Sequence, residues 1–321
     1  MKNIFRLFGI AFLFYTSLSW SQVYPNKPVK IVIPYGPGGA PDILGRLFAL
    51  KLQNSLGRPV IVENHSGAGG TIGTDFVAKS ASDGYTILIA TTANLSISPH
   101  LYPKLPYNAL KDLIPIAQVA NSPLILTVSK NIPANNVKEL IAYGKANPGK
   151  LNYASAGSGT IQHVAGAMFA NMVGIDAVHV PYKGTAQILP DLIAGRVNLM
   201  FNSIAPMLPQ IKEGNLKAIG IASLNRSLIN PEFSTLAEQG LTDFEAGPWY
   251  GFYAPTGVPK DIINRLNKEI NQALSTADVK ERFIQFGLEV ASGTPEDFAQ
   301  VTKRDYEKFG KIISDNNIKG E

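Results

Sequence analysis

Two Gly-rich loops carry the residues best suited to chemistry. The first is Pro34-Tyr35-Gly36-Pro37-Gly38-Gly39-Ala40-Pro41-Asp42, between a strand-like run and a helical one. Gly38 and Gly39 let a ligand come close to the backbone. The N–H groups at a helix start carry partial positive charge, which suits a carboxylate. Asp42 can accept from a ligand hydroxyl or amine, or hold a bridging water. It can equally cap the helix, with the glycines only making the turn. The second loop is Ser155-Ala156-Gly157-Ser158-Gly159-Thr160, again between a strand pattern and a helical one. Its backbone N–H groups and the hydroxyls of Ser155, Ser158 and Thr160 form another donor-rich cradle. Ligands of open α/β sheets sit beyond the carboxyl ends of strands. One cradle in each half of the chain would therefore grip an anion from two sides. Neither loop contains Arg, so affinity would come from backbone donors and water, not a bidentate ion pair.

Other chemistries find less support. Residues 65–71 form a third Gly-rich loop, better explained by close packing of loop on sheet than by ligand contact. No G-x-x-x-x-G-K-[ST] phosphate loop occurs, and residues 36–41 fail the last glycine of a dinucleotide fingerprint. Gly157-Ser158-Gly159 is not a nucleophile elbow. His65, His100, His163 and His179 show no i, i+4 pair and no metal-ligand cluster; no cofactor or metal is implied. Asn94 and Asn202 end strand patterns near the expected cleft, where either also suits a turn. Trp249 is readable as core or as an aromatic that stacks on a ligand.

Alternating short β-rich runs and helical patterns position these loops. Strands are expected over 29–34, 60–63 and 85–90, with helices from 40 to 55 and through 76–77. This order implies a parallel sheet with helices on both faces. The segment holding Pro99, Pro103, Pro106, Pro115 and Pro123 reads as a crossover. A second series follows: strands over 124–128, 151–154, 177–180, 198–201 and 216–221, and helices over 137–146, 160–172 and 185–194. A return crossover is expected near 223–227. The C-terminal third is helical, with Thr294-Pro295-Glu296-Asp297 a strong helix start. The fold class is thus α/β, with two lobes, each a mostly parallel sheet flanked by helices. The expected division is a leader over 1–21, first lobe over 22–105, second lobe over 106–224, and a return to the first lobe over 225–321.

The 321 residues are 45% hydrophobic and 17% charged, enough for more than one core. Lys2 and Arg6, an apolar run over 7–15, and small or polar residues through Ser21 have the layout of a cleaved secretory signal. The run is too short for a membrane span. There is no Cys, which leaves no disulfide and no lipid-anchoring site. The net charge of +5 lies in no basic stripe, which argues against nucleic-acid binding.

The runs VKIVIPYGPGGAPD, VIVENHSGAGGTIG, SDGYTILIATTAN, GKLNYASAGSGTIQH and VHVPYKGTAQILPDLIAGRVNLMF together resemble the solute-binding proteins of tripartite tricarboxylate transporters, the Bug receptors. The resemblance spans about 24–318. It implies a periplasmic, two-lobed flytrap receptor for a small carboxylate, a di- or tricarboxylate or an aromatic acid. Such a receptor serves membrane permease subunits, is monomeric, and has neither enzymatic activity nor a cofactor. It places ligand contacts at Tyr35, Gly38, Gly39 and Asp42, and at Ser155, Ala156, Gly157, Ser158 and Thr160. By position it adds Gly184, Thr185 and Asn202. Three residues depart from the family pattern. Gly36 stands where Pro is frequent, Pro41 replaces a frequent Thr or Ser, and Asn202 stands where Asp is common, removing a negative charge. A ligand-sensing receptor for a membrane kinase and an exported α/β hydrolase are the alternative readings.

Overall fold

The computed structural model describes residues 24–182 and 184–319; the leader expected over 1–21 lies outside them. The first sheet has six strands in the order β11-β4-β10-β3-β1-β2. These are β1 (Val29–Ile33), β2 (Val60–Asn64), β3 (Thr86–Thr91), β4 (Leu113–Asn121), β10 (Trp249–Pro255) and β11 (Glu289–Val290). The second sheet has five, in the order β7-β6-β8-β5-β9. These are β5 (Leu124–Ser129), β6 (Leu151–Ser155), β7 (Ala177–Pro181), β8 (Leu199–Ser203) and β9 (Leu216–Ile221). The helices that matter for the site are α1 (Ala40–Leu56), α2 (Thr71–Ala78), α3 (Ser98–Leu101), α4 (Val137–Ala146), α5 (Ile161–Val173), α6 (Thr185–Ala194), α7 (Ile204–Lys212) and α10 (Pro295–Asp315). Helices α8 (Lys260–Ser275) and α9 (Ala277–Gln285) complete the first lobe.

Both sheets are mixed, not mostly parallel. β1 pairs parallel with β2 and β3, and β6 pairs parallel with β7 and β8. β10 and β5 run antiparallel to their neighbours. The reason is topological: each enters its sheet from the opposite lobe, so it runs against strands that point toward that lobe.

The crossovers differ from those expected. Leu113–Asn121 pairs with β10 in the first sheet, so the chain leaves that sheet at Ser122-Pro123, not near 106. Pro115 sits opposite Tyr253 beside a register shift, where a missing N–H is tolerated. The return comes at 246–248, not near 225. Before it, Leu236, Leu241 and Phe244 are buried in the second lobe's core. The crossovers lie side by side: Ser122 N–H donates to Pro248 O at 2.9 Å and Leu124 N–H to Ala246 O at 3.2 Å.

This connection fixes which strand ends face the gap between lobes. β4 reaches the gap with its carboxyl end, and β3 and β1 share its direction through β10. β5 leaves the gap with its amino end. Ser203, the last residue of β8, pairs with Leu124, the first of β5. β8, β6 and β7 therefore also end at the gap.

Helix α10 ties the lobes together. Its Phe298 packs with Trp249 and Tyr253 of the first lobe, whereas Phe309 and Ile313 enter the second lobe's core with Val164, Phe169 and Phe201. Ile97 and Leu101, from the first lobe, join the same cluster.

Candidate functional site

The first cradle is built by the turn from β1 into α1. Gly39 is the helix N-cap and no side chain caps it; Pro41 has no N–H and Asp42 N–H bonds Gly39 O at 3.0 Å, so Ala40 carries the open N–H of the first turn. Gly38 holds φ at +91°, a value that favours glycine, and a Cβ there would meet nothing within 4 Å. The backbone is thus open to close approach. Asp42 is buried beneath this turn. Its carboxylate accepts from Gly38 N–H at 3.0 Å, from Asn64 Nδ2 at 2.9 Å, and from Arg46 Nε at 3.1 Å. Arg46 also pairs with it through Nη2 at 2.9 Å. Burial pushes the Asp42 carboxyl up, but the hydrogen bonds from Arg46, Gly38 and Asn64 outweigh it and hold the value at about 2. With its oxygens filled by protein donors, Asp42 shapes the loop. Asn64 extends the lock by donating to Tyr35 O at 3.0 Å, and Tyr35 Oη meets Thr91 Oγ1 at 3.0 Å.

The second cradle links β6 to α5. Gly157 and Gly159 take φ of +138° and +75°. Thr160 caps α5 by accepting from His163 N–H, and its hydroxyl donates to Gly157 O at 2.7 Å. Ser155 is fully buried. Its Oγ donates to Gly157 O at 2.9 Å and lies 2.7 Å from His179 Nε2. Ala156 and Ser158 are half-buried on the same loop. Next to it, Gly184 forms the uncapped N-cap of α6, with φ of +145° and open space where a Cβ would stand. Thr185 opens that helix. Asn202, near the end of β8, is buried, and its Nδ2 has no hydrogen-bond partner. Three helix starts and an unpaired donor thus converge on the strand ends that face the gap.

Asn94 and Trp249 are buried and bonded to protein groups, Asn94 behind the first cradle through Thr91, whose Oγ1 links it to Tyr35 Oη. Asn94 is fully buried within a π-helical turn after β3. Its Oδ1 accepts from Thr91 N–H at 2.7 Å, and its Nδ2 donates to Thr74 Oγ1 at 2.7 Å. Trp249 is buried against Phe298 and donates its indole N–H to Asp305 at 3.0 Å. It lines a cavity of about 550 Å³ that opens against both crossovers, with Glu289, Arg226 and Arg304. Its lining takes in Glu289 of β11 and Ala222 just past β9, and no residue of either cradle. The cavity is therefore separate from the cradles.

Sequence reasoning missed Arg46, Asn64 and the His163–His179 pair. The i, i+4 spacing of Asp42 and Arg46 was a usable signal. The contacts of Asn64 and His179 come from strand pairing and leave no local pattern. Among the described residues, no cluster of three or more His, Asp or Glu could hold a metal, and no helix is long and apolar enough to cross a membrane.

The profile of the tripartite tricarboxylate transporter family receptor matches residues 44–318. The chain belongs to this family. It is 39% identical over 320 residues to a Pseudomonas sp. (strain P51) UPF0065 protein from the tcbD-tcbE intergenic region, covering 98% of this chain and 95% of that one. It is 36% identical to BugT of Bordetella pertussis, over 93% and 92% of the two chains. Among solved structures it is similar to MatC from Rhodopseudomonas palustris with bound malate, at TM-score 0.73 and 31% identity over 90% and 100% of the chains. An R. palustris protein solved with adipate gives TM-score 0.77 and 29% identity over 92% and 99%. The receptor family thus has the two-lobed periplasmic-binding-protein fold described above, and its members are binding proteins.

Proposed function

We propose that this receptor captures a small carboxylate in the gap between its lobes and presents it to the permease subunits of a tripartite tricarboxylate transporter. The carrying observation is the convergence of the α1, α5 and α6 starts, with the unpaired Asn202 amide, on strand ends that face one gap. Helix N-termini favour anions through both their N–H groups and their dipole. Gly38 and Gly184 present bare backbone there. A carboxylate oxygen is the acceptor that the Asn202 Nδ2 lacks. Adipate and malate in the two related structures support the same ligand class.

The reading as a receptor and not a hydrolase draws support from Ser155. Its contact with His179 pairs a hydroxyl with an imidazole, but the hydroxyl is fully buried and bonded to Gly157. A nucleophile must reach substrate. The chain acts in the periplasm after loss of its leader, as a monomer, and without turnover of its ligand.

A thermal-shift screen of refolded protein against mono-, di- and tricarboxylates, aromatic acids, amino acids and sugars tests this. A ligand at a hundred times its Kd adds about 2.7 kcal/mol. Stabilisation confined to carboxylates is the expected result. Stabilisation by sugars with none by carboxylates would overturn the reading.

A further inference from the structure

The second cradle rests on two imidazoles. His163 of α5 and His179 of β7 stack with ring centroids 3.6 Å apart and planes inclined by 9°. Each holds one of the loop's glycines. Gly159 N–H donates to His163 Nδ1 at 3.1 Å, so the ring proton of neutral His163 sits on Nε2. His179 Nε2 meets Ser155 Oγ, which bonds both the N–H and the carbonyl of Gly157.

We propose that His163 and His179 are positioning residues for anion capture, and that a proton on His163 dismantles the second cradle. This rests on the reading of 155–160 as an anion cradle. A protonated Nδ1 would face the Gly159 N–H, donor against donor, and Gly159 would have to leave. The cradle's backbone groups would then lose the alignment that the stack imposes. Burial, and then the neighbouring His179, lower the His163 value to about 4. The loop therefore stays intact at neutral pH and fails in acid.

Among the described residues, the groups around His163 offer no negative charge that would hold such a proton. Across β6, Tyr153 lies 6.2 Å from the His163 ring, and burial raises its hydroxyl to about 12. β8 supplies Leu199, Met200, Phe201, Asn202 and Ser203, none titratable. α10 meets α5 around Met168 and Met172, where Lys308, Lys311 and Asp315 lie more than a turn from His163. α3 brings Leu101 to Gly159, whereas His100 bonds to Tyr306 O at 2.8 Å. His179 is the nearest charge-bearing group among the described residues, and two imidazolium rings in that stack would repel.

The test compares the wild type with His163→Asn. Asn Oδ1 occupies the place of Nδ1, accepts from Gly159 N–H and does not titrate. Binding of malate and of adipate is measured by calorimetry at pH 7.5 and 4.5. Protonation of the probe affects both proteins alike and divides out of the comparison. The wild type should lose at least tenfold more affinity than His163→Asn between the two values. Separately, the Gly159 amide resonance of unliganded wild type should titrate with the His163 ring. Equal acid losses in both proteins would overturn the proposal, as would a Gly159 amide that ignores the His163 titration. If neither probe binds at pH 7.5, the cradle reading fails on its own. The amide titration of the wild type then decides whether the imidazoles hold the loop.

Discussion

Asp42→Ala probes the first cradle at its anchor. The carboxylate bonds Gly38, Asn64 and Arg46 at 2.9–3.1 Å while buried under the turn. Removing it leaves the Gly38 N–H without its acceptor and the Asn64 amide with Tyr35 O alone. Hydrogen bonds to a charged group contribute about 1.5–3 kcal/mol each. Arg46 is 53% exposed, returns to water and adds little. The expected loss is about 2–4 kcal/mol, read as a lowered urea midpoint with an unchanged slope. Carboxylate affinity should fall with it, because Gly38 loses the contact that holds its φ of +91°. The acid limb gives an independent check. The folded carboxyl is depressed to about 2 from 3.8, so its stabilisation is complete above pH 4 and lost as pH falls through 2. Asp42→Ala should lack that dependence. A stability change below about 0.5 kcal/mol, typical of an idle surface residue, would refute the claim that this network holds the cradle. Intact folding with abolished binding and no stability loss would instead mean that Asp42 touches the ligand directly.

Three further outcomes follow from the packing. The folded His163 value is lowered from 6.5 to about 4, so its contribution is complete above pH 6.5 and lost as pH falls toward 4. At about 1.4 kcal/mol per pH unit, wild type should lose about 3 kcal/mol over that interval in urea titrations, and His163→Asn much less. Gly166→Ala would drive a Cβ into the Tyr153 ring; a cost of at least 1–3 kcal/mol and a disturbed His163–His179 stack should appear in melting and in ring resonances. Phe309→Ala empties a site where the C-terminal helix enters the second lobe's core and should cost about 3–5 kcal/mol, measured by denaturant unfolding.

The parts of the fold governed by local pattern were legible in the sequence. Helices over 137–146 and 185–194 match α4 and α6, and the cradle loops fall between strand and helix as expected. The crossovers were not legible, because their signal is pairing across the chain. Leu113–Asn121 carries Pro115, which reads as a break until Tyr253 and its register shift lie alongside. Trp249–Pro255 is buried along its whole length and so shows no alternation. The same limit applies at the site. The glycines of both cradles are visible from composition and spacing, whereas Asn64 and His179 reach them only through sheet neighbours. Trp249 is read from its aromatic type, as core or as a ligand stack, and Asn94 from its place at a strand end, and neither signal shows the partner that each has. Asp305 and Thr74, which occupy them, lie 56 and 20 residues away.

The exchange of strands between lobes sets how the protein unfolds. β5 arrives from the first lobe, and β10 from the second. Each is an interior strand, so neither sheet is complete without chain that passes through the other lobe. The second lobe's core also includes Ile97, Leu101, Phe309 and Ile313, which reach it from the first-lobe turn and the C-terminal helix. Losing either lobe would expose this shared apolar surface at roughly 25 cal/mol per Å². The two lobes should therefore melt together despite having separate sheets. Calorimetry should give one transition whose measured enthalpy equals the van't Hoff value, and Trp249 fluorescence should follow far-ultraviolet circular dichroism. Two resolved transitions would show that the shared cluster is too weak to couple the lobes. The hinge would then be the crossover pair alone, with α10 free to detach from one side as the lobes part.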